Sequence, residues 1–322
     1  MTDPTPGIHH VTCIASDPQE NLDFWVETLG LRLVKRSINQ DDPGTYHLFF
    51  ADTVGTPGTS MTFFPWQDLP QGKVGTGQVT RTAFRVPAGS LSFWEDRFDQ
   101  RDVSYDDRLE RFGESVLPFR DPDGLPVELV ATELPDDDPT DPWTDIVPGE
   151  YAIRGFHSVT LWIADLERTA SVLETLGMVR TDRDHTPGDA PGDKRSRYAA
   201  AGPVGTYVDV VPTIESARQG HGTVHHVAFQ TPTDEQQAAA REAVRSLGVQ
   251  PTPQIDRHWF RSVYFREFGG VLFELATNGP GYDSDEPVET LGERLVLPGD
   301  FEDRRAEIEA NLPSLKLPTT DD

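Results

Sequence analysis

The sequence predicts an α+β fold assembled from four repeated β-α-β-β-β modules that form two barrel-like halves. Three observations point to it. Three stretches open alike: Gly7-Ile-His-His-Val-Thr12, Gly155-Phe-His-Ser-Val-Thr160 and Gly222-Thr-Val-His-His-Val-Ala-Phe229. Each is followed by a helix-like stretch closing on Leu-Gly, at Leu29-Gly30, Leu176-Gly177 and Leu247-Gly248, so His10, Ser158 and His226 precede those glycines by 20, 19 and 22 residues. A second register exposes a fourth copy, because Arg120 and Arg266 each stand 8 residues before Glu128 and Glu274. Repetition of this kind marks a stack of supersecondary units.

The first module spans 7–66. His10 to Ile14 alternates polar and apolar, as a half-buried strand does, and residues 18–29 follow a helical period that stops at Gly30. Residues 45–51 (TYHLFFA) and 60–64 (SMTFF) read as strands. The second module, 79–131, opens with Arg81-Thr-Ala-Phe-Arg-Val86 and has lost the histidines. The Pro- and Asp-rich stretch 133–149 reads as a linker between an N-terminal half, 1–132, and a C-terminal half, 150–282. That second half holds the modules 155–212 and 222–277, and the tail 283–322 carries a short helix over 300–311.

Composition narrows the function. The 322 residues include 54 acidic and 28 basic ones, a formal charge of −26, which excludes nucleic acid held through its phosphates and anionic membrane surfaces. Basic residues are overwhelmingly arginine, the lysines being Lys35, Lys73, Lys194 and Lys316. This acidic, lysine-poor composition resembles proteins of salt-accumulating halophiles, haloarchaea among them. The single cysteine, Cys13, forms no intrachain disulfide and reads as core. No apolar run reaches the roughly 18 residues of a membrane helix, and the N-terminus lacks the features of a signal peptide, so a cytoplasmic protein is expected. A homo-oligomer is compatible with all of this.

The chemistry concentrates on few residues. Side chains at i and i+2 of a strand share a face, so His10 with Thr12, and His226 with Ala228 and Gln230, face the concave side of their sheets, while His9 and His225 fall on the helix-facing side by strict alternation. Glu274 sits in the apolar strand Val-Leu-Phe-Glu-Leu-Ala, where a carboxylate needs a partner such as a cation. Two histidines and a carboxylate with open coordination positions form the facial triad of non-haem Fe(II) oxygenases. The other modules lack it. Position for position, the third carries Ser158 and the second Thr82 or a neighbour, which leaves Glu128 structural, and the first carries Thr62 or Phe64 where Glu274 has its counterpart.

The four modules, the paired His-His strand openings and the final Phe-Glu-Leu strand resemble the vicinal oxygen chelate superfamily of glyoxalases, bleomycin resistance proteins and dioxygenases. Longer segments, Leu-Val-Lys-Arg-Ser with Thr-Tyr-His-Leu-Phe-Phe-Ala-Asp and Asp-Arg-His-Trp-Phe-Arg-Ser-Val-Tyr-Phe-Arg-Glu, resemble its ring-cleaving dioxygenases of the hydroquinone type. The resemblance implies His10, His226 and Glu274 as ligands of Fe(II), with Mn(II) admissible, and a site joining the first and fourth modules. It implies a second shell of Tyr264, Arg257, His225 and Thr12, in which Arg257 stabilises oxyanion charge and Tyr264 or His225 passes protons. The partners implied are a small hydroquinone- or catechol-type aromatic and O2. The alternatives are a glyoxalase-like metal-dependent isomerase or lyase, and a non-enzymatic ligand-sequestering protein.

Overall fold

The computed structural model describes residues 3–184 and 195–317. Among the described residues sixteen strands appear in chain order. The first module supplies β1 (Ile8–Ala15), β2 (Arg32–Asn39), β3 (Asp42–Ala51) and β4 (Ser60–Pro65), and the second supplies β5 (Gln78–Pro87), β6 (Leu109–Arg111), β7 (Glu114–Arg120) and β8 (Pro126–Thr132). The third supplies β9 (Phe156–Ile163), β10 (Val179–Asp184), β11 (Arg195–Ala199) and β12 (Tyr207–Pro212), and the fourth β13 (Thr223–Gln230), β14 (Ile255–Asp256), β15 (Arg261–Arg266) and β16 (Leu272–Ala276). The crossover helices are α1 (Pro18–Asp23), α2 (Leu91–Gln100), α3 (Leu166–Thr175) and α4 (Asp234–Ser246).

Local chemistry accounts for these helices. Asp17 caps α1 by accepting the backbone N–H groups of Gln19 and Glu20, with Pro18 in the first turn, and Thr233 and Gln236 form a reciprocal capping box on α4. The helix expected over 18–29 continues past Asp23 as a π turn, Phe24–Thr28. Gly30, Gly177 and Gly248 end the crossovers with φ of +73°, +85° and +92°, a region that suits glycine. In the tail, a 3-10 turn (Gly299–Arg304) leads into α5 (Arg305–Asn311).

The modules pair across the chain rather than along it. One curled sheet runs β14-β15-β16-β13-β1-β4-β3-β2 and joins the fourth module to the first; the other runs β10-β11-β12-β9-β5-β8-β7-β6 and joins the third to the second. The stretch 133–149 therefore connects two modules of one sheet and is not a boundary between the sheets. It packs on the fold, with Asp138 3.2 Å from Arg85. Trp25, fully buried in the π turn, lies 5.0 Å from Phe63 of its own sheet and 6.0 Å from Phe84 of the other, so the two sheets share one core. Cys13 is buried in it. Among the described residues, no helix is long and apolar enough to cross a membrane.

Candidate metal centre

Strands β1 and β13 lie side by side, antiparallel, at the middle of the first sheet, and each carries a β-bulge. The register passes from Ile8↔Phe229 to His10↔Ala228, leaving His9 as the extra residue, and from Thr12↔His226 to Cys13↔Val224, leaving His225 as the extra residue. A bulge re-aims side chains. Strict alternation, which places His9 and His225 on the helix side, fails at these two positions. His9 Nδ1 lies 2.9 Å from His10 Nδ1, and His225 Nδ1 lies 2.8 Å from His226 Nδ1.

Strand β16 completes the site, because Glu274 pairs with Ala228 beside His10. Glu274 Oε2 lies 2.9 Å from His226 Nε2 and 3.3 Å from His10 Nε2, and the two Nε2 atoms are 3.3 Å apart. All three residues are buried. Burial pushes the Glu274 carboxyl up, but the adjacent His10 and His226 outweigh it and hold the group well below its ordinary value. Ser262 Oγ donates to Glu274 Oε1 at 2.5 Å, whereas Oε2 has no hydrogen-bond partner among the described residues.

This arrangement fits a divalent cation. Ligand bonds of about 2.1 Å meeting at right angles set ligand atoms about 3.0 Å apart. Burial, reinforced by the neighbouring ligand histidine, lowers His9 and His225 to about 3, so both rings are neutral and each can accept at one nitrogen. His9 Nδ1 can therefore accept the Nδ1–H of His10 across their 2.9 Å. The lone pair of His10 Nε2 is then free to bind a metal, and His225 can hold His226 in the same tautomer. Such a lone pair beside an unpartnered carboxylate oxygen calls for positive charge.

A cavity of about 380 Å³ opens over the triad, walled by Phe49, Phe64, Trp66, Trp259 and Phe260. Of the residues singled out from the sequence, Tyr264, Arg257 and His225 line it. Arg257 Nη2 pairs with Asp41 Oδ2 at 2.8 Å, and its guanidinium lies 5.4 Å from the Tyr264 ring centroid. Burial opposes the charge on Arg257, and Tyr264 and Asp41 more than restore it. Burial, then Glu274, raises Tyr264, which keeps its proton at neutral pH.

Thr12 is fully buried and is not one of the residues that line the cavity, and its hydroxyl meets Thr62 Oγ1 at 2.8 Å. Thr62 in turn contacts His47 Nε2 at 3.0 Å, and His47 lines the cavity. Sequence reasoning missed His47, although alternation in TYHLFF puts it on one face with Phe49. His258, with φ +77°, lies outside the wall and pairs with Asp285 at 2.9 Å.

Register equivalence identifies what replaced the triad elsewhere. As Ala228 pairs with His10 and Glu274, so Ala83 pairs with Ser158 and Glu128 in the other sheet. Bulges there leave Thr80 and His157 without a register partner, so Arg81, the neighbour of Thr82, stands where His226 stands. Glu128 is buried and receives Arg111 through Nη1 at 2.6 Å and Nη2 at 3.1 Å, with Arg81 Nε at 3.3 Å. Guanidinium charge occupies the place of a metal. In the first sheet, Thr62 pairs with Thr12 as Glu274 pairs with Ala228, so Thr62, not Phe64, is the counterpart of Glu274, and among the described residues no further carboxylate joins the cluster.

Comparison with known proteins agrees with this architecture. The model of the Glyoxalase/Bleomycin resistance protein/Dioxygenase superfamily matches residues 7–129 and 155–275. The chain is 43% identical over 316 residues to the Bacillus subtilis protein named "Putative ring-cleaving dioxygenase MhqO", with 97% of each covered. It is 35% identical over 312 residues to the chlorohydroquinone/hydroquinone 1,2-dioxygenase of Sphingobium indicum, with 94% of each covered. A crystal structure of a "putative dioxygenase" from Bacillus subtilis superposes with a TM-score of 0.91 at 42% identity, over 98% of this chain and 99% of that one. Glyoxalase I from Zea mays shares the fold with a TM-score of 0.59 at 16% identity, over 84% of this chain and 92% of that one. With both long segments of the family model matched and a relative above 40% identity along almost its whole length, the chain belongs to the glyoxalase/bleomycin resistance protein/dioxygenase superfamily.

Proposed function

We propose that the chain is a non-haem, Fe(II)-dependent ring-cleaving dioxygenase that acts on hydroquinone- or catechol-type aromatics with O2. One observation carries the reading: His10 Nε2, His226 Nε2 and an unpartnered Glu274 Oε2 converge within 3.3 Å under an aromatic-walled cavity. The names of the relatives support it. Fe(II) held by these three residues would supply open coordination positions and the redox change that O2 activation requires; Mn(II) suits the same ligands. Thr62 in place of a fourth carboxylate favours this over a four-ligand isomerase.

The chain's own residues do the rest. The aromatic walls stack the substrate ring and exclude water, which strengthens every charge interaction inside. Arg257, fixed by Asp41, presents positive charge to an oxyanion, and Tyr264, the register partner of Glu274, holds a proton at its Oη. His225 borders the cavity as a neutral imidazole: with its Nδ1 accepting from His226, its remaining ring N–H can donate to a substrate oxygen.

The test is oxygen uptake by Fe(II)-reconstituted protein given hydroquinone or catechol separately, with ultraviolet absorbance reporting the ring-opened product. Consumption of either supports the dioxygenase, and which one is consumed assigns the substrate. Metal-loaded, folded protein that consumes neither refutes it. Replacing Tyr264 with Phe should lower kcat by about 10² while the metal content stays at the level of the unaltered protein.

A further inference from the structure

The cavity has two unlike ends. At one end stand the triad residues of β1, β13 and β16; across the sheet order β1-β4-β3, two strand spacings or about 10 Å away, stands β3 with His47. The His47 ring lies 3.8 Å from that of Phe49 and 4.4 Å from that of Phe64, between centroids. Its Nε2 is taken by Thr62 at 3.0 Å, and Thr62 is held by Thr12 at 2.8 Å. The ring is therefore fixed by aromatic contacts and by a two-hydroxyl tether.

Its other nitrogen is uncommitted. His47 Nδ1 has no hydrogen bond among the described residues, and it is not one of the sealed, unpartnered atoms, so it opens on the cavity that the ring lines. On the same wall Asp41 pairs with Arg257, Gln40 donates to the Arg257 carbonyl, Asp42 accepts the Trp66 indole, and Asn39 Oδ1 accepts the Asp41 N–H. Burial first, then His10, His226 and Arg257, holds His47 well below its ordinary value, so it offers one hydrogen bond and no charge.

We infer that His47 is the specificity residue that hydrogen-bonds a second hydroxyl at the far end of the ring, so that the site selects para-dihydroxy arenes; this rests on the ring-cleaving reading above. A catechol gathers both oxygens at the triad and leaves Nδ1 facing carbon. A para-diol places one oxygen at each end of the cavity and satisfies Nδ1. An analogue that lacks the distal hydroxyl strands a polar atom in an aromatic wall, and stranding of this kind gives hydrogen-bonding sites their discrimination.

The experiment measures dissociation constants of hydroquinone, catechol and phenol by titration of the full-length, Fe(II)-loaded chain without oxygen, alongside metal content and circular dichroism. His47→Phe keeps the aromatic packing, and His47→Gln keeps a hydrogen-bonding group. His47→Phe should weaken hydroquinone about tenfold and leave catechol and phenol within twofold, and His47→Gln should recover most of the loss. In turnover, KM for hydroquinone should rise more than kcat falls. An unchanged hydroquinone constant, or equal weakening of all three ligands, overturns the assignment of His47 while oxygen uptake by the unaltered protein upholds the oxygenase. An unaltered protein that binds and consumes none of the aromatics overturns both.

Discussion

His225 and His226 are neighbours in β13, yet their Nδ1 atoms lie 2.8 Å apart, although successive side chains of a regular strand point to opposite faces. The bulge at His225 makes this possible, and the bulge at His9 repeats it for His10 at 2.9 Å. Each proposed ligand is thus oriented by the residue before it.

Removing a ligand should weaken metal binding sharply without unfolding the chain. Metal analysis of metal-depleted protein reloaded with Fe(II) should give one ion per chain, and Glu274→Gln or His226→Ala should weaken binding by more than about 100-fold. Full occupancy in both variants would dissolve the triad assignment.

The orienting histidine should matter less than the ligand. His225→Ala leaves His226 Nε2 beside Glu274 but frees the ring to turn, so metal affinity should fall about 10- to 100-fold with one ion per chain still bound at saturation. Competition against a chelator of known affinity measures it.

The arginine-filled site of the second sheet should be structural. Arg111→Met leaves Glu128 buried beside Arg81 alone, and breaking such a pair costs about 3–5 kcal/mol. Denaturant unfolding should show that loss, and Glu128→Leu added to it should restore part of the stability. Uptake of oxygen per folded, metal-loaded chain should be unchanged.

Asp121 provides a pH signature. Burial, with Asp123 adding to it, raises its carboxyl to about 8, although Oδ1 accepts the Leu125 N–H at 2.8 Å. The native state therefore favours the protonated form. Its contribution is fully present below the unfolded value near 3.8 and is lost as pH rises towards about 8. Asp121→Asn should make the thermal midpoint flatter than that of the unaltered chain between pH 4 and pH 8; parallel profiles would contradict this.

Charge should make the fold salt-dependent. With a net −26, self-repulsion is screened by added electrolyte, so the unfolding midpoint should rise between 0.1 M and 2 M KCl. A flat or falling midpoint would count against a salt-adapted surface.

The sequence by itself determined the repeat, the module order and the triad positions. A β-α-β-β-β unit writes its strand period, helix stop and strand-end carboxylate into local spacing, so His10, His226 and Glu274 stand out without coordinates. The resemblance implied a site joining the first and fourth modules, but only the tertiary structure decided the order of strands in each sheet and which way the bulged residues face. Pairing of β1 with β13 joins residues more than 200 positions apart, and a bulge is a mismatch between two strands that neither strand carries alone. For that reason alternation sent His9 and His225 to the helix side, and left the second module's equivalent position open between Thr82 and a neighbour until the register picked Arg81. His47 escaped for the same cause: its place opposite the triad exists only once β3, β4 and β1 lie in one sheet.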